Sequence, residues 1–69
     1  MTVARVTEIS SSSEKSFEDA INTGLARASK TLRNVRSAWI KEQQVDVREG
    51  RIARYRVNML VTFVLDEGE

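Results

Sequence analysis

The stretch EGRIARYRVNMLVTFVL, residues 49–65, decides the architecture. Ala53, Tyr55, Val57, Met59, Val61, Phe63 and Leu65 alternate with other residues, and a period of two puts them on one face of a strand. That face is the expected core. The opposite face begins polar, with Arg54, Arg56 and Asn58, and turns apolar at Leu60 and Val64. Arg51 to Asp66 therefore reads as one long strand. Glu49 and Gly50 before it suit a two-residue hairpin turn, in which glycine supplies the positive φ. The hairpin makes Ser37 to Arg48 the antiparallel partner.

That partner, SAWIKEQQVDVR, does not keep its phase. Ala38 and Ile40 are apolar on even numbers, Val45 and Val47 on odd ones. A β-bulge between Lys41 and Gln44 reconciles the two halves by letting one extra residue slip the alternation.

Further upstream the period changes. Phe17, Ile21, Leu25, Ala28, Leu32 and Val35 recur at spacings of four and three, which predicts a helix over Phe17 to Val35. Ala20, Gly24 and Ala28 form a small-residue row beside that stripe, suited to close packing on a sheet. Gly24 costs about 1 kcal/mol against alanine in a helix interior, so a packing reason is expected for it. Ser16 followed by Asp19 resembles a capping box, and Asn34 suits the helix end. Thr2 to Ile9 reads as a first strand. The serine row Ser10 to Ser13 reads as a tight loop leading into the helix.

The order is thus β-α-β-β in a single domain, residues 1–69, of α+β class: a three-stranded antiparallel sheet partly wrapped around one helix. Strands of this length span about 40 to 50 Å at roughly 3.3 Å per residue, more than one helix can cover. The uncovered face is expected to be buried against other copies.

Composition excludes several classes. There is no cysteine and no histidine, so disulfides, thiolate sites and the usual zinc ligand are absent. The charge balance of 11 Lys+Arg against 10 Asp+Glu argues against a nucleic-acid partner. No run approaches the roughly 20 apolar residues of a membrane span, and MTVARVTEIS lacks an apolar signal-peptide region. The expected location is cytoplasmic. Catalysis has little support: no glycine-rich phosphate loop is present, and Ser10 to Ser13 have no adjacent base.

SSSEKSFEDAI, LARASKTLRNV and EGRIARYRVNMLVTFVL together resemble the dodecin family, without gaps over nearly the whole chain. The resemblance implies a hollow homododecamer of cubic symmetry that stores or buffers a small ligand, usually a flavin. In that family a tryptophan just after the helix stacks on the flavin ring, and a glutamine on the last strand hydrogen-bonds it. The ungapped match places Ser37 at the tryptophan position, Ala38 at the neighbouring phenylalanine position and Arg56 at the glutamine position. Val45 and Asp46 replace a Gly-His pair. SAWIKEQQVDV looks closer to a dodecin-like subgroup lacking the flavin tryptophan, one member of which is a calcium-binding dodecin.

Three candidate sites follow. Ser37 and Trp39 share a strand face, so two symmetry-related indoles could sandwich a flat ring. Packing of Trp39 in a subunit interface is the favoured reading, because tryptophan is enriched there. Arg54 and Arg56 could clasp a phosphate, with ion pairing to Glu42, Asp46 or Glu8 favoured. Glu42 and Asp46 offer oxygen ligands for calcium, but in a regular strand they lie about 13 Å apart. The cofactor stays open between flavin and calcium. The expected partner is the chain itself.

Overall fold

A computed structural model describes residues 2–65. Strand β1 is Ala4–Ser13, helix α1 Phe17–Thr31, strand β2 Val35–Arg48 and strand β3 Arg51–Val64. The sheet order is β1-β3-β2, antiparallel throughout, so β3 is the central strand.

The odd-numbered residues of β3 form the core, as their alternation requires. Val57, Met59 and Val61 have no exposed surface, and Ala20 of α1 closes over them. Burying each of these β3 side chains contributes about 1.5–3 kcal/mol. Ile9, Phe17, Ile21, Leu25, Leu32, Val35, Ala38 and Ile40 pack around this centre while half-buried.

The helix presents its small row to the sheet. Ala20, Gly24 and Ala28 are its buried residues, whereas Ile21 and Leu25 of the bulky stripe stay half-buried. A Cβ on Gly24 would fall 2.7 Å from Met59 Cε and 2.9 Å from Ser11 Cβ, so only glycine allows this approach of α1 to β1. Ser16 caps the helix by accepting the Asp19 N–H at 2.9 Å, as expected. The reciprocal half of a capping box is replaced: Asp19 Oδ2 accepts from the Ser13 hydroxyl at 2.6 Å.

Three boundaries differ from the sequence reading. Ser10 to Ser13 belong to β1, where they pair with Asn58, Val57, Arg56 and Tyr55. Polar hydroxyls are tolerated there because β1 is an edge strand. The helix stops at Thr31, with Leu32 already extended as its C-cap. Asn34 then turns the chain at φ 63, and its backbone C=O accepts from the Val64 N–H, so Val35 enters β2 instead of extending the helix. Strand β3 ends at Val64, and Asp66 lies outside the described residues.

The register of β2 slips between Ile40 and Glu42, one residue earlier than the expected interval, and this reconciles Ala38 and Ile40 with Val45. Two further slips occur, between Val35 and Ser37 and between Asp46 and Val47. The hairpin turn is the expected two residues, and both carry positive φ, Glu49 at 54 and Gly50 at 77. This matches a type I′ turn, whose twist suits flanking strands.

The chain is far from compact. It measures 54 × 19 × 13 Å. Its radius of gyration is 14.3 Å, against about 11 Å for a globule of this length. It exposes 5344 Å², against about 4,400 Å² for a compact monomer of its mass. No helix among the described residues is long and apolar enough to cross a membrane.

Candidate functional site

The face of the sheet away from α1 gathers the candidate residues. Ser37 pairs with Thr62, Trp39 with Leu60, Glu42 with Asn58, and Asp46 with Arg54. From β1, Val6 pairs with Thr62, Glu8 with Leu60, and Ser12 with Arg56. Strand alternation then puts Ser37, Trp39, Glu42, Asp46, Arg54 and Arg56 on this one face, opposite the buried residues of β3. The early slip in β2 is what carries Glu42 and Asp46 there, since without it they would turn toward the helix.

The face has two halves. The apolar half holds Trp39, Leu60 and Val6. Trp39 is 71% exposed and Val6 57%, large values for apolar side chains on a central surface. Ser37 and Trp39 lie two residues apart, about 7 Å along the strand. The platform offered by Trp39 is thus displaced by one side-chain step from the Ser37 position.

The polar half is internally bonded. Arg56 Nη2 donates to Asp46 Oδ2 at 2.8 Å across β3 and β2. Asn58 Nδ2 donates to Glu42 Oε1 at 2.8 Å. Lys41, the residue skipped by the slip, reaches over β3 to Glu8 Oε2 at 3.5 Å. Arg54 is exposed beside the Arg56–Asp46 pair. The buried Arg56 Nε has no hydrogen-bond partner, so this guanidinium is held by one side only.

This arrangement joins Arg56 to Asp46 and leaves Glu42 with an amide partner that sequence reasoning did not single out. Asn58 and Lys41 became partners through register, and register depended on the position of the slip. For calcium the donor set is poor: no group of three or more acidic side chains lies together among the described residues. Glu42 and Asp46 are also already engaged. For a flat aromatic ligand the fit is better, because Trp39 presents an open indole beside aliphatic neighbours.

Comparisons with known proteins agree with this fold. A family model, Dodecin, matches residues 3–66. A dodecin of Thermus thermophilus is 37% identical over 65 residues, covering 94% of each chain. The structure of a dodecin from Streptomyces davaonensis superposes with a TM-score of 0.91 at 38% identity, over 96% of this chain and 97% of that one. A calcium dodecin of Mycobacterium tuberculosis, described as calcium-chelating with a novel calcium-binding site, superposes with a TM-score of 0.80 at 29% identity, over 97% and 96%. The β-α-β-β order, the central third strand and the helix laid on one sheet face all recur across that span, and the chain belongs to the dodecin family.

Proposed function

We propose that the chain assembles into a hollow homododecamer that binds and stores a small ligand in the cytoplasm without transforming it. The observation that carries this is Trp39, 71% exposed at the apolar end of a sheet face that no element of its own chain covers. Association buries such a face, and an aromatic with an open ring is the natural surface for a planar guest. The absence of cysteine and histidine and the lack of an activated nucleophile support binding over catalysis.

The ligand contacts proposed for this assembly are Ser37, Trp39, Arg54 and Arg56. The standard flavin contacts of the family are lost in this reading: Ser37 stands at the tryptophan position, and Arg56 is drawn to Asp46 rather than free to act as an amide would. Titrating riboflavin and FMN against Trp39 fluorescence tests this. The reading expects little quenching up to tens of micromolar flavin, the range set by a contact worth about 6–7 kcal/mol. Strong quenching, or yellow protein on purification, would return Trp39 to a flavin-stacking role.

A second reading, a structural shell held by ion pairs or calcium, has one observation in its favour: Glu8, Glu42 and Asp46 all have partners within the chain. That favours ion pairing over calcium. Millimolar calcium should therefore leave the melting temperature unchanged, whereas a ligand at a hundred times its Kd would add about 2.7 kcal/mol.

A further inference from the structure

A cavity of about 740 Å³ lies on the opposite side of the molecule, between β1 and the C-terminal half of α1. It is separate from the Trp39 face. Its floor is apolar, made by Ile9, Gly24 and Ala28. The bare Cα of Gly24 keeps that floor low, since its Cβ would meet Met59 and Ser11. Hydroxyls of Ser11 and Thr23 stand on its walls.

Arg27 and Lys30 complete the lining, and no carboxylate is among the lining residues. Neither cation is engaged in an ion pair among the described residues. The ion-paired carboxylates, Glu8 and Asp46, are held on the far face of the sheet. Strand β1 is a sheet edge, so alternate backbone N–H groups between Ile9 and Ser12 point outward, away from β3, along the rim of this groove. The helix end brings negative carbonyl ends nearby, which oppose an anion. Of the last-turn residues in the lining, Ala28 has its carbonyl satisfied by the Leu32 N–H at 2.8 Å and the Thr31 hydroxyl at 3.4 Å.

We infer that this groove binds a phosphate monoester carried on a compact apolar body. The apolar floor takes the body. Arg27 and Lys30 take the dianion, with the hydroxyls and edge amides completing its hydrogen bonds. A multi-oxygen dianion suits two converging cations better than a single carboxylate does, because several oxygens can accept charge-assisted bonds at once.

The test is calorimetric titration of the intact protein with 1-naphthyl phosphate, with 1-naphthol and inorganic phosphate as controls. Saturable binding at one per chain is expected, weaker for either control. Arg27→Ala with Lys30→Ala should weaken it roughly tenfold or more, the loss expected for charge-assisted hydrogen bonds. Arg27→Lys with Lys30→Arg should restore most of it. Trp39→Ala should leave it unchanged, which separates this groove from the Trp39 face. Three results overturn the inference: no saturable binding, as when a neighbouring copy fills the groove; binding indifferent to the double alanine variant; or binding lost with Trp39. A circular dichroism melt of each variant checks that the exposed substitutions leave the fold intact.

Discussion

Trp39 and Arg56 define the site at the scale of single residues, and they behave oppositely. Trp39 is open and contributes little to the isolated chain, so its energy is realised in association. Trp39→Ala should barely move the stability of a lone chain. It should cost about 2 kcal/mol or more at an interface, read as a rise of roughly thirtyfold in the protein concentration for half-assembly. Arg56 is tied down but only half-buried, with side chains of the Arg56–Asp46 pair 38% and 36% exposed. Asp46→Asn should therefore cost no more than about 1 kcal/mol in a denaturant melt. Its effect on ligand should be larger, because it releases the guanidinium toward the open face. The residue types of this site were legible in the sequence. Their partners were not. Glu42 meets Asn58 and Lys41 meets Glu8 because of a single register slip, and a shift of one residue exchanges every side chain between faces.

At the scale of elements, the fold rests on close approach rather than bulk. The helix buries Ala20, Gly24 and Ala28, and its larger residues flank the contact. Gly24→Ala gains about 1 kcal/mol of helix propensity. It also drives a methyl into Ser11, whose Cβ is fixed to the strand, although the Met59 methyl can move aside. The clash should win, with a net loss of about 1–2 kcal/mol and a lower melting temperature. Gly50 is a contrasting case. Nothing lies within 4 Å of its missing Cβ, yet its φ is 77, so Gly50→Ala should cost about 1 kcal/mol through backbone strain alone. The central strand was readable because its alternation runs unbroken through Val57, Met59 and Val61. The serine row Ser10 to Ser13 reads as a loop in the sequence for a physical reason: on an edge strand water can satisfy such hydroxyls from the open side, so polarity there does not exclude a strand. Val35 kept helical spacing by coincidence, and the turn at Asn34 sends it into β2, where it still packs on the core.

For the whole molecule, shape carries the argument. A chain with only five buried apolar residues among those described, and extents of 54 × 19 × 13 Å, cannot shelter its own sheet. The exposed Val3, Val6, Trp39, Val47 and Ile52 are spread along that length, so several neighbours are needed to cover them. Small domains without disulfides commonly solve this by association. The sequence already implied copies, through strand length; their number came from family resemblance, since no local pattern encodes symmetry. Native mass spectrometry of the protein as purified, before dialysis, tests this most directly. The account predicts a mass of twelve chains, with any excess weighing the bound ligand. A monomer at micromolar concentration would contradict it.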